Sequence, residues 1–83
     1  MKIFSNISDD EIEEQYKIIS NNVKKIRIKK NITQEEVALS MGFTTATFYT
    51  NAENYKQGKH FNLEHLIKLS KIFDITIQEF FIV

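Results

Sequence analysis

The sequence contains no cysteine, no proline and no tryptophan, and only two glycines, Gly42 and Gly58. Without cysteine there is no disulfide, no thiolate metal site and no cysteine nucleophile. Without proline, and with so little glycine, almost nothing interrupts a helix, so the expected class is all-α. No apolar run approaches the roughly 20 residues of a membrane span, and no signal-peptide pattern is present, so a cytoplasmic protein with no membrane partner is expected. Only two histidines occur, and His60, Glu64 and His65 form the one histidine-plus-carboxylate cluster. Their spacing is not that of a helical metal pair, no third ligand accompanies them, and no nucleophile faces a base. The expectation is no enzyme, no metal and no cofactor.

Eighty-three residues, 42% of them apolar, make one domain rather than a disordered chain or two cores. Net charge is zero, but its distribution is not even. Residues 21 to 32 sum to +5 with no acid, and residues 33 to 54 to −3 with no Lys or Arg. Basic segments therefore bracket a cation-free stretch, and a neutral total conceals a potential basic face.

Ser8 with Glu11 forms a capping-box pattern, and Ile7 with Ile12 has the spacing of a hydrophobic staple, so a helix starts near Asp9. Asp9, Asp10, Glu11, Glu13 and Glu14 crowd its first turns, where the macrodipole favours acids. Ile12, Tyr16, Ile19, Val23 and Ile26 continue one apolar stripe, which predicts a single helix over 9–30 unless Asn21-Asn22 breaks it. Ile3 and Phe4, ahead of it, read as an arm. Further on, Asn62 caps a helix over 63–73 that buries Leu63, Leu66, Ile67, Leu69, Ser70 and Phe73. Thr76 with Glu79 opens a last short helix.

Residues 33–53, TQEEVALSMGFTTATFYTNAE, organise the rest. Thr33 and Glu36 form a capping box that starts a helix at Gln34, with Val37, Ala38 and Met41 on its apolar face. Gly42 follows where a left-handed C-cap is wanted, Phe43 plugs the corner, and Thr44 or Thr45 caps a second helix reaching about Glu53. Small Ala38 lets the two helices cross closely. With Phe48, Ala52 and Tyr55 inward, the second helix shows Thr45, Ala46, Tyr49 and Thr50. This is a helix-turn-helix pattern.

Gln34, Ala38, Gly42, Phe43 and Phe48, with flanking NVKKIRIKKNITQEE and NLEHLIKLSKIFDITIQEFF, resemble the phage Cro/repressor-like, or XRE, family of regulators over roughly residues 20–81. One departure concerns the register. The family places an aliphatic residue three positions after the one matched by Phe48, and an acid next. Here that place holds Asn51, with Ala52 and Glu53 one later. Either Phe48 and Ala52 face inward, the arrangement preferred on spacing, or the turn is one residue longer and Tyr49 is the core residue. The resemblance implies a five-helix lambda-repressor-like bundle over residues 20–83, with residues 1–19 as an arm and helical extension. It further implies a sequence-specific transcriptional regulator, a repressor acting on double-stranded DNA as a homodimer. In the preferred register Gln34, Thr45, Ala46, Tyr49 and Thr50 read bases, and the lack of arginine there favours an A·T-biased site. Thr33, Lys24, Arg27, Lys56 and Lys59 are the phosphate candidates, with Lys29 and Lys30 equally read as solvated charge. Arg27 is also the match to an arginine that pairs with the acid near the recognition helix's end, here Glu53.

Phe80-Phe81-Ile82-Val83 cannot all face inward, since consecutive helical residues point about 100° apart. Ile77, Phe80, Phe81 and Val83 are therefore the expected dimer interface, unless Ile3 and Phe4 fold over them. Two competing readings use the same fold: an antitoxin or adaptor whose partner docks on the acidic N-terminal helix, and a degenerate fold without DNA function.

Overall fold

The computed structural model describes residues 7–83, so the arm residues Ile3 and Phe4 lie outside the described residues. Four α-helices follow one another: α1 (Asp9–Lys29), α2 (Gln34–Ser40), α3 (Thr47–Glu53) and α4 (Leu63–Phe73). Single 3₁₀ turns occupy Lys56–Gly58 and Ile77–Phe81, and there is no strand among the described residues. The expected fifth α-helix is thus a 3₁₀ turn. Its Thr76–Glu79 capping box does not form; only the backbone bond from Glu79 to Thr76 closes there.

Helix α1 runs unbroken through Asn21-Asn22. Ser8 caps it by accepting from the Glu11 amide. Its far end, and the ends of α2 and α4, close in the same way. A residue with positive φ (Asn31, Gly42 or Asp74) follows each helix, and the next amide reaches back to the carbonyl of Arg27, Ala38 or Ser70. This is the Schellman arrangement, and only at Gly42 is the glycine that favours it present. Asn and Asp tolerate the left-handed region better than other side chains, which is why the remaining two ends work without glycine.

The core is one cluster in which Val23 of α1, Val37 and Ala38 of α2, Tyr49 and Ala52 of α3, Phe61, and Leu66, Leu69 and Phe73 of α4 are almost wholly shielded. Phe80 closes it from the last turn, edge-on to Phe73. Two sequence expectations change here. Leu63 and Ile67 of α4 are exposed, so the buried face of that helix is the narrower stripe Leu66, Leu69, Phe73. Ile12 is also largely exposed, because the first two turns of α1 extend past the residues that could cover it.

The larger correction is the register of α3. Tyr49 has no exposed surface, whereas Phe48 is only half-buried, stacked loosely with Phe43 and His65 at the rim. The segment between Gly42 and Thr47 takes up one residue more than the preferred register allowed. What decides the choice is the phenol: Tyr49 can be buried because its hydroxyl donates to Glu53 one turn on, at 2.6 Å. Tyr49→Ala should therefore cost about 3–5 kcal/mol in urea unfolding, and Phe48→Ala less, since Phe48 sits at the rim and keeps part of its surface in water.

Candidate nucleic-acid interface

The outer face of α3 and the groups that hold it in place form the candidate interface. Glu53, at the last turn of α3, is fully buried and meets three donors. Arg27 grips it in a fork, Nε to Oε2 at 2.8 Å and Nη2 to Oε1 at 3.1 Å. Tyr49 donates to Oε2, and Gln34 donates from Nε2 to Oε1 at 2.9 Å. The third guanidinium nitrogen, Nη1, donates to the Ile32 carbonyl at 2.8 Å. No buried side-chain nitrogen or oxygen is left without a partner among the described residues. A buried pair needs this completeness, since desolvation of the ions otherwise outweighs their attraction.

Burial pushes the Glu53 carboxyl upward, but the bonds from Arg27, Tyr49 and Gln34 outweigh it and hold Glu53 below its ordinary range. The bond to Glu53, reduced by burial, holds Arg27 above its ordinary value, and burial next to the carboxylate raises the Tyr49 phenol. Ser20 adds a second tie, its hydroxyl donating to the Ala52 carbonyl at 2.8 Å. Helix α3 is thus fixed to α1 at its C-terminal end by polar bonds. At its N-terminal end it has Ala46 in the cap position and no capping side chain; Thr45 only reaches the Thr47 amide at 3.4 Å.

With Tyr49, Ala52 and Glu53 inside, the outward residues of α3 are Thr47, Thr50 and Asn51, followed by the exposed cap residue Asn54. Tyr49 is therefore corrected from base reader to core residue. Thr45 and Ala46 sit just before the helix, Thr45 exposed and Ala46 half-buried. Gln34 does not point free into solvent: its Oε1 accepts from Thr50 at 3.2 Å while its Nε2 bonds Glu53. It braces α2 against α3. Thr47 and Asn51 were missed in the sequence because the preferred register hid them. The signal that finds them is Ala52-Glu53 read as the family's aliphatic-acid pair, which puts Asn51 outside.

Among the phosphate candidates, Lys56 and Lys59 are exposed on the turn that follows α3. Lys24 is exposed beside the end of α3, around a shallow hollow shared with Asn21, Asn54 and Tyr55. Arg27 is committed to Glu53 and Ile32 and its side chain is only 12% exposed, so it is corrected from phosphate contact to brace. Thr33 spends its hydroxyl and its amide on Glu36 in a complete capping box, which holds the Glu36 carboxyl below its usual range. His60 and His65 take no catalytic arrangement. His65 caps α4 through the Asn62 amide, His60 stacks on Tyr16 at 3.8 Å, and no metal-binding group of acids, His or Cys occurs among the described residues. None of the described helices is long and apolar enough to cross a membrane.

A helix-turn-helix family model matches residues 23–80, which is most of the chain and spans α2, α3 and the brace between α1 and α3. The chain belongs to the XRE family of helix-turn-helix proteins. It is accordingly a DNA-binding regulator. No curated protein and no solved structure matches it significantly. Within an XRE domain the brace has a measurable consequence. Glu53 has a lowered folded-state pKa, so its contribution is full above the unfolded value near 4.3 and is lost as pH falls through the depressed value. Arg27→Ala should cost about 3–5 kcal/mol at neutral pH by leaving a buried charge unpaired. Glu53→Gln should remove the part of the acid-side decline that Glu53 causes, read as urea midpoints between pH 3 and 7.

Proposed function

We propose that the protein binds a specific double-stranded DNA site as a homodimer on an inverted repeat and represses transcription from it. Residues 20–83 are the DNA-binding domain and residues 1–19 an extension of it. The observation that carries this reading is the outer face of α3, which holds Thr47, Thr50 and Asn51 with Asn54 just beyond and no charge at all, on a helix held from behind by Glu53. Asn51 offers the bidentate amide contact to adenine, and Thr45, Ala46, Thr47 and Thr50 offer methyls and hydroxyls suited to thymine methyls and base acceptors. Gln34 contributes by holding Thr50. An A·T-biased half-site follows, since no arginine is available to grip guanine.

Affinity comes from elsewhere, chiefly Lys56, Lys59 and Lys24 on phosphates, since Thr33 is engaged with Glu36. Two recognition helices about 34 Å apart would then meet successive major grooves, and occupancy alone suffices to block a promoter. Phe81 and Val83, exposed at 47% and 102%, and half-buried Ile77 are the apolar candidates for the dimer contact. Phe80 is not, because it is fully buried within its own protomer.

Gel shifts with short A·T-rich and G·C-rich duplexes at two salt concentrations test the reading. Lys56→Ala or Lys59→Ala should weaken binding to every duplex about equally and lower the salt slope by about one. Asn51→Ala should leave that slope alone and relax discrimination, by about 1–3 kcal/mol at one base pair. Binding that ignores duplex sequence in the unmodified protein rules the proposal out.

A further inference from the structure

Helix α1 carries opposite charge on its two halves. Residues 9–14 hold five acids and no cation, and residues 24–30 hold five cations and no acid. The macrodipole accounts for Asp9, Asp10 and Glu11 in the first turn and for Arg27 and Lys29 in the last, because its effect fades beyond a turn. It does not account for Glu14 or for Lys24 and Lys25. Three of these charges, Glu11, Lys25 and Lys29, fall on one line. Glu11, Gln15, Ile18, Asn22, Lys25 and Lys29 recur at alternating spacings of four and three, the spacing that keeps one seam along a helix facing a neighbouring helix. Among the described residues, Glu11, Glu14, Lys25 and Lys29 take part in no ion pair, whereas Glu13 is paired with Lys17 and Arg27 with Glu53.

Apolar surface lies against the same seam. Asn22 donates to the carbonyls of Phe80 and Ile82, at 2.9 and 2.6 Å, and so anchors the last turn across the middle of α1. Ile82 then joins Lys25, Ile26 and Lys29 around one shallow hollow, with Glu79 as the facing acid. Phe81 and Ile82 remain 47% and 62% exposed there. At the other end of the helix, every residue from Asp9 to Gln15 is exposed, Ile12 included. A short helical segment with so little packed against it is marginal on its own.

We propose that a second copy of this chain covers this face, with the two α1 helices antiparallel about a twofold axis near their midpoints. This arrangement deepens the homodimer proposed above and rests on it. Antiparallel pairing puts Glu11 opposite Lys29, Gln15 and its neighbour Glu14 opposite Lys25, and Ile18 opposite Asn22. Parallel pairing sets acid on acid and base on base. The same symmetry brings Phe81 and Ile82 of each copy, held beside the basic half of its own α1, against the protruding half of the other helix. Ile12 and Ile18 there gain the apolar cover that one protomer cannot supply. A 21-residue helix is about 31 Å long, enough for the charged ends of the seam to meet twofold while Asn22 at its middle stays bonded to its own last turn.

Sedimentation equilibrium of the full chain without DNA, at tens of micromolar, tests this, with circular dichroism to show that each variant is folded. The unmodified protein should be a dimer that weakens as salt is raised. Lys29→Glu and Glu11→Lys should each raise the dimer dissociation constant about tenfold, because twofold symmetry changes each contact twice. The combined Glu11→Lys, Lys29→Glu protein should return close to the unmodified value. A dimer indifferent to the single changes, or a combined variant as weak as either, overturns the antiparallel arrangement and leaves a homodimer by another face. A monomer at these concentrations overturns the homodimer as well, and the gel shift then reports separately whether DNA recognition survives.

Discussion

The carboxylate of Glu53 is the constraint on which the rest of the structure depends. It sits where α1, α2 and α3 come together, and each helix sends a donor to it: Arg27, Gln34 and Tyr49. A buried charge tolerates no slack, because any donor that withdraws leaves a desolvated ion behind. The three helices therefore have a defined relative placement that apolar packing alone would specify less sharply. Fixing α3 in this way also fixes which of its residues face out. Buried ion pairs are often no more stabilising than well-packed apolar replacements, whereas the fork and the Tyr49 and Gln34 bonds set a geometry.

Legibility in the sequence followed how local each signal was. The starts of α1, α2 and α4 were readable because Ser8, Thr33 and Asn62 cap them through bonds spanning only three residues. The end of α2 was readable because Gly42 stands where the left-handed residue must be. The other two Schellman ends, at Asn31 and Asp74, were not, since those residues are common in many settings. The helix count differs at the last turn, where Thr76 and Glu79 fit a capping pattern but the segment closes as a 3₁₀ turn with no side-chain cap and Phe80 buried.

The register of α3 differs from the one that spacing favours, and the cause is physical. Phe48 is the more apolar residue and Tyr49 the more polar, so hydrophobicity favours burying Phe48. A tyrosine goes inside when its hydroxyl has a partner, and the partner, Glu53, is buried only because Arg27 reaches it from 26 positions earlier in the chain. The decisive interaction is non-local, which periodicity within a window cannot see. The resemblance pairs Arg27 with Glu53, and that pair implies Tyr49 inside and Asn51 outside. The C-terminal patch shows the same divide: that some of Phe80 to Val83 must stay exposed follows from helical geometry, but that Phe80 is the buried one depends on Phe73.

Helix α3 has seven residues, no capping side chain at its N-terminal end, and no charge on its outer face; at its C-terminal end Asn54 donates to the Thr50 carbonyl. Such a segment has almost no helical stability of its own; its shape is imposed by Tyr49, Ala52 and Glu53 behind it. Among the described residues Thr47 and Asn51 make no side-chain hydrogen bond, so little in the described fold depends on which residues stand there. Substitutions at those two positions are nearly free in terms of folding. A lineage carrying this domain can accordingly change the sites it recognises through single replacements, without first acquiring stabilising changes elsewhere, while the brace behind them stays as it is.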